Sequence, residues 1–278
     1  MLQLGFSTCP NDTFIFDALV HSRILNSPGF EVHLADVSEL NQLSLETKLD
    51  VTKLSFGVIS DVSNAYQVLD SGSALGFGCG PLLIARSIPP SVEDWLKTAR
   101  VAIPGEKTTA NLLLSMAFPN IGKKTPMLFS DIEDAVVAGH ADAGLIIHEN
   151  RFTYQAKGLF KLIDLGEFWE AKTGLPVPLG CIAVKRSLPE DKKKLIQQLI
   201  RESVEFAFKN PEVSSEYVSA HAQEMDPEVM NMHIKLYVNQ FSVSLGKDGR
   251  NAVNRLISEG IKAGIIREPV HPLFVDPD

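Results

Sequence analysis

Over the first two thirds of the chain, apolar and polar positions switch between two periods. The runs L-Q-L-G-F (2–6), F-E-V-H-L (30–34), V-T-K-L-S-F (51–56), R-V-A-I (100–103) and D-A-G-L-I-I (142–147) are too short for helices and read as strands. Between them lie stretches with helical spacing at 13–21, 39–46, 58–67 and 131–139, and one opening at Thr108 or Thr109. Asp12 or Thr13 is the expected N-cap of the first helix. This alternation predicts an α/β fold with mixed, mainly parallel sheets. After L-G-C-I-A-V-K (179–185) the pattern becomes helical from Glu190 to about Gly264. Leu195, Leu199, Val204 and Phe208 then fall near one face of a helix over 190–209.

No Gly/Ser linker, repeat or heptad array divides the 278 residues. At ~100–200 residues per domain, the length suits two lobes. The extended apolar stretches 81–86 and 179–185 are the candidate crossings between them. If both cross, residues 84–181 form one lobe inserted into another made of 1–83 and 182–278. The result is a hinged, two-lobed clamshell with a ligand cleft between the lobes.

Composition narrows the partners. Lys and Arg number 26 against 34 Asp and Glu, a net charge of -8. Such a chain lacks the basic face that non-specific nucleic-acid binding needs. No apolar run approaches the ~20 residues that span a bilayer. The expected partner is therefore a small molecule, not nucleic acid or membrane. Cys9, Cys79 and Cys181, without a C-x-x-C among them, give neither a disulfide framework nor a four-Cys zinc site, so no metal is expected. The chain opens directly into strand-like sequence without a basic segment and apolar leader, which predicts a cytoplasmic protein. Nothing in the pattern speaks to oligomeric state.

In open α/β sheets, ligands bind beyond the carboxyl ends of strands, where helix N-termini offer N–H groups to anions. Four places fit. Ser7-Thr8-Cys9-Pro10-Asn11-Asp12-Thr13 is dense in hydroxyls and amides, though plain turn chemistry accounts for much of it. Thr52-Lys53-Leu54-Ser55 puts an ammonium inside an apolar strand, costly unless it meets an anion or snorkels to water. At Thr108-Thr109 one hydroxyl can cap the helix and leave the other for a ligand carboxylate. His148 ends an apolar strand and is the best general-base candidate, since imidazole titrates nearest neutral pH. The other six histidines, His233 included, show no ligand-like spacing. Gly76-Phe77-Gly78-Cys79-Gly80 looks like a nucleotide loop, but Pro81 and an apolar run follow where a helix should, so a flexible crossing is the better reading. Asp191-Lys192-Lys193-Lys194 reads as a solvated helix face.

Taken together, S-T-C-P-N-D-T-F-I-F (7–16), T-K-L-S (52–55), P-G-x-x-T-T (104–109), G-L-I-I-H-E-x-R-F-T-Y (144–154), T-G-L-P-x-P-L-G (173–180) and Y-V-N-x-F-S (237–242) resemble the 1,4-dihydroxy-6-naphthoate synthase family of the futalosine route to menaquinone. The likeness runs from about residue 4 to P-L-F-V (272–275), in the family's order. It implies a type II periplasmic-binding-protein-like fold turned into an enzyme. It also implies a lyase acting on cyclic dehypoxanthinyl futalosine, an aromatic carboxylate, without a cofactor. The family's catalytic base falls on His148, and its substrate-contacting segments fall on Lys53-Leu54-Ser55 and Thr108-Thr109. Ser7 and Asn11 complete the candidate substrate contacts. Two other readings remain open at this point. One is a sibling enzyme that dehydrates chorismate, and the other is a non-enzymatic small-anion binding protein.

Overall fold

The computed structural model describes residues 1–223 and 226–275. Its strands are β1 (Leu2–Phe6), β2 (Phe30–Leu34), β3 (Val51–Ser55), β4 (Tyr66–Val68), β5 (Ala74–Gly76), β6 (Leu82–Ala85), β7 (Val101–Ile103), β8 (Lys124–Pro126), β9 (Ala143–Ile146), β10 (Phe160–Asp164) and β11 (Val177–Lys185). They form two sheets. One has the order β2-β1-β3-β11-β4 with β5 also paired to β11, and the other the order β10-β6-β9-β7-β8. The chain therefore passes between sheets twice, once between Gly76 and Leu82 and again between Asp164 and Val177.

Parallel pairs are β1–β2, β1–β3, β7–β8 and β7–β9. Antiparallel pairs are β3–β11, β4–β11, β5–β11, β6–β9 and β6–β10. The sheets are mixed as expected, but antiparallel pairing predominates, which corrects the expectation of mainly parallel sheets. The reason is β11, a nine-residue strand that runs antiparallel to all three of its neighbours.

Helices cover the sheets, and Glu190–Lys209 forms as its spacing predicts. The first helix starts earlier than expected, at Pro10. Cys9 takes the extended N-cap position and Pro10 opens the helix, where its missing N–H costs nothing. Neither Asp12 nor Thr13 is the cap. The expected helix over 58–67 is only Ile59–Val62, because Tyr66 and Val68 pair with Lys185 and Ala183 of β11. The three-residue strands β4, β5 and β8, with β10 and the helix Leu165–Thr173, had no clear periodic signal.

The largest apolar cluster spans both sheets, joining Leu54, Phe56 and Cys181 to Leu83, Val101, Leu145 and Trp169. Gly80 marks the first crossing. A Cβ there would stand 2.1 Å from the backbone nitrogen of Gly166. Arg151 fastens the same point, donating to Gly80 O (2.5 Å) and to Asp164 Oδ2 (2.6 Å). The glycine run thus serves close backbone packing and leads into a strand, not into a phosphate-binding helix. Gly80→Ala is expected to lower stability by ~1–3 kcal/mol, the usual cost of overpacking. A fall in the urea unfolding midpoint measures it.

Candidate active site

β1, β3 and β9 end at one cavity with about 640 Å³ of empty space, its open mouth included. Ser7, Asn11, Lys53, Ser55, Thr108, Thr109 and His148 all line it. Leu54 does not. Neighbouring residues of a strand face opposite sides, so Leu54 points into the core while Lys53 and Ser55 reach the cavity. Leu179, Cys79 and Tyr237 contribute further wall.

The floor is a buried ion pair. Lys53 Nζ lies 2.6 Å from Asp12 Oδ1, with both side chains almost fully buried. Ser7 donates to Asp12 Oδ2 from its hydroxyl (2.7 Å) and its backbone N–H (3.2 Å). Asn11 Nδ2 donates to Oδ1 (2.8 Å). The anion beside Lys53 is thus the protein's own Asp12, while Lys53 also lines the cavity.

Of the paired threonines, the first caps the helix as expected and the second departs from expectation. Thr108 is the N-cap, accepting from Asn111 N (3.2 Å) and donating to Gly105 O (2.8 Å). Thr109 Oγ1 donates to Leu179 O (2.6 Å) and accepts from Gly57 N (3.0 Å). Its hydroxyl ties the helix Thr109–Ala117 to β11 and to the turn after β3 instead of awaiting a ligand. Thr109 and Ala110, at the start of that helix, line the cavity, and their backbone N–H groups have no intrahelical partner. Ser55 lies beside it. Asn41 Oδ1 accepts from Ser55 N (3.0 Å), and Asn41 Nδ2 donates to Ser55 Oγ (3.1 Å) and to Lys107 O (3.5 Å). The Ser55 proton has no acceptor among the described residues.

His148 follows β9 with a left-handed φ of +56°. Its ring sits edge-on to Phe129 (4.9 Å between centroids) and nearly parallel to His233 (6.0 Å, 16°). Its Nε2 is buried and makes no hydrogen bond among the described residues. Burial lowers the imidazole pKa to about 4, opposed by Asp12 and aided by Lys53. The base candidate is therefore neutral near pH 7.

Sequence reasoning passed over His233, which is fully buried. Its Nε2 lies 2.9 Å from Asn11 Oδ1 and its Nδ1 3.6 Å from Glu149 Oε2. Burial, with His148 and Lys53 nearby, pushes its pKa well down. The available signal was the four-residue spacing to Tyr237, which puts both rings on one helix face at 4.6 Å. Cys9 Sγ, a ring nitrogen of His148 and a carboxylate oxygen of Glu149 lie within 4.8 Å of one another. Burial and Glu149 push the Cys9 thiol pKa well up, so it keeps its proton and offers no thiolate.

Two mixed sheets, two chain crossings and a cavity at the strand ends define a periplasmic-binding-protein-like fold. The ligand-binding component of an ABC-type import system from Staphylococcus aureus superposes with a TM-score of 0.72 at 12% identity, over 99% of this chain and 96% of that one. The alkanesulfonate-binding protein of Xanthomonas axonopodis pv. citri gives 0.71 at 13%, over 97% and 95%. Those likenesses are of fold alone. A crystal structure of a protein from Archaeoglobus fulgidus gives 0.90 at 30% identity, over 95% of this chain and 98% of that one. The family model for menaquinone biosynthesis matches residues 2–261. A relative from Thermus thermophilus is 44% identical over 99% of both chains, and one from Streptomyces coelicolor is 44% identical over 95% of this chain and 94% of its own. Both are named 1,4-dihydroxy-6-naphthoate synthase. The chain belongs to this family of menaquinone-biosynthesis enzymes.

Removing one partner of a buried ion pair strands the other, at ~3–5 kcal/mol. Lys53→Met is expected to cost that much in urea unfolding. The double variant Lys53→Met/Asp12→Asn should recover part of the loss.

Proposed function

We propose that the chain is a carbon–carbon lyase that converts cyclic dehypoxanthinyl futalosine to 1,4-dihydroxy-6-naphthoate, with His148 as the base. The observation that carries this is a neutral imidazole at the cavity, with one ring nitrogen left without a protein partner. The names of the near full-length relatives supply the substrate class. On this reading the substrate carboxylate lies against the Ser55 hydroxyl and the N–H groups at the start of the helix Thr109–Ala117. Each charge-assisted hydrogen bond there contributes roughly 1.5–3 kcal/mol. Thr108 shapes the helix start. Lys53, Ser7 and Asn11 hold the floor under the reacting end. His148 takes a proton from substrate carbon, and Asp12 offsets the charge on the imidazolium that forms. Fission of the bond to the sugar-derived fragment follows, and aromatisation makes the sequence irreversible. The part of the chain from β6 to β10 acts as the lobe that closes on the rest, excluding water; the expected bounds at 84 and 181 shift because β6 begins at Leu82 in the second sheet and β11 at Val177 in the first. We place the reaction in the cytoplasm; no helix among the described residues is long and apolar enough to cross a membrane.

Purified protein should turn over the cyclic futalosine derivative, followed by naphthoate absorbance. Turnover of chorismate alone would assign it to the dehydrating sibling enzyme. Binding without turnover of either would make it an anion-binding protein. His148→Asn is expected to lower kcat by ~10²–10⁴ while keeping the fold and substrate affinity, as the loss of a general base does.

The pH behaviour follows from the lowered pKa. The base works while neutral, so the acid limb of kcat/KM should fall near pH 4 and not near 6.5. In the window from about 6.5 down to about 4, the unfolded imidazole binds a proton that the folded one refuses. Stability should therefore fall as pH drops through that window, and His148→Asn should flatten part of the slope in urea titrations.

A further inference from the structure

The hydrogen bonds of the floor fix the proton on a histidine that does not touch the cavity. Asn11 Nδ2 donates to Asp12 Oδ1, the oxygen that also meets Lys53. The amide of Asn11 is thereby oriented, and its Oδ1 faces His233 Nε2 at 2.9 Å. A carbonyl oxygen only accepts, so Nε2 carries the hydrogen. In a neutral imidazole Nδ1 is then a bare lone pair. It lies 3.6 Å from Glu149 Oε2, with both side chains buried. A carboxylate oxygen and a bare nitrogen facing each other in a dry interior repel, and one proton between them turns that repulsion into a hydrogen bond.

We propose that Glu149 and His233 hold a single proton between Oε2 and Nδ1, and that this net-neutral pair positions His148. The positioning half rests on His148 being the base; the shared proton does not. The proton sits on oxygen as carboxylic acid beside imidazole, or on nitrogen as imidazolium beside carboxylate. Both arrangements sum to zero charge.

Two consequences reach the base. Glu149 directly follows His148 in sequence, so anchoring its side chain on the helix Pro227–Tyr237 holds the left-handed turn that aims the base. The His233 ring lies nearly parallel to the His148 ring and backs it. The charge beside the base also stays at zero. Without the shared proton, the negative charge of the carboxylate beside the base would favour the imidazolium of His148 and leave no base. With a second proton, a cation would join Lys53 and press on the same site. The other titratable groups facing the pair are Cys9 and Tyr237, whose pKa values burial raises, and Asp12 with Lys53, which offset each other.

The test uses full-length protein with 15N-labelled histidine, together with Glu149→Gln, Glu149→Ala and His233→Gln. The last variant assigns the His233 signals by their loss. Nε2 of His233 should be protonated, and its Nδ1 signal should move to that of an unbonded imine nitrogen in Glu149→Ala. Glu149→Ala should also lower kcat by ~10²-fold, the scale of a misplaced reacting group, with KM nearly unchanged. Glu149→Gln should recover most of that loss, since its amide N–H donates to Nδ1 with no net charge. A His233 protonated at Nδ1 and bare at Nε2 would overturn the proposal. So would an Nδ1 signal indifferent to Glu149→Ala, or a Gln variant as poor as the Ala variant. The spectra need no substrate, so they remain decisive if the futalosine derivative is not turned over.

Discussion

A carboxylate and an ammonium buried against each other are tolerable only when the remaining lone pairs and protons find partners. Asp12 and Lys53 meet that demand at the cavity floor, and most of the site's geometry follows from how they do so. Ser7 is drawn in by two hydrogen bonds to Asp12 Oδ2. Asn11 is oriented by Oδ1, and through Asn11 the ring of His233. His233 in turn meets Glu149 and backs His148. One ion pair thus sets orientations from the first strand to the C-terminal helices, across more than two hundred residues of sequence.

The net charge of -8 makes the location of that pair significant. An acidic protein repels an anion at long range, so capture of a carboxylate depends on local donors. Lys53 is neutralised at home by Asp12. On the proposed reading, the remaining attraction comes from the first N–H groups of the helix Thr109–Ala117 and from the Ser55 proton, held in place by Asn41. These are dipolar donors, strong at contact and weak beyond it. They select for a ligand already seated in the cavity more than they steer one from solvent.

What was legible in the sequence divides along the same line. Lys53 stood out because a lysine inside V-T-K-L-S must meet an anion or snorkel to water. The identity of that anion was hidden, because Asp12 is 41 residues away and read as a cap. The paired threonines showed a helix start, but the use of the second hydroxyl depended on Leu179, 70 residues on. Leu54 was carried into the site by its motif although strand alternation turns it to the core. His233 lacked any strong local signal, since its partners come from the first helix and from the turn after β9. Period and capping are local properties and were readable. Which polar atoms meet inside is a long-range property of two sheets packing, and only the folded chain displays it.

The fold neighbours that capture solutes and this family of enzymes share a scaffold, and the contacts around the crossings suggest how one scaffold serves both. His148 hangs from β9 in the second sheet, while the groups that set its environment, Asp12, Lys53, Asn11 and His233, belong to the first sheet and the helices on it. Thr109 to Leu179 ties the two halves, and Arg151 fastens the crossing at Gly80. A solute binder needs only that its halves meet around the ligand. On the proposed reading, a base assembled across the junction demands more, because a displacement of ~1 Å between the halves can cost ~10²-fold in rate. The glycine contact at Gly80 and the bridging hydroxyl of Thr109 are then the features that let a binding fold hold a reactive geometry. Chemistry and closure become a single constraint on how the two sheets sit.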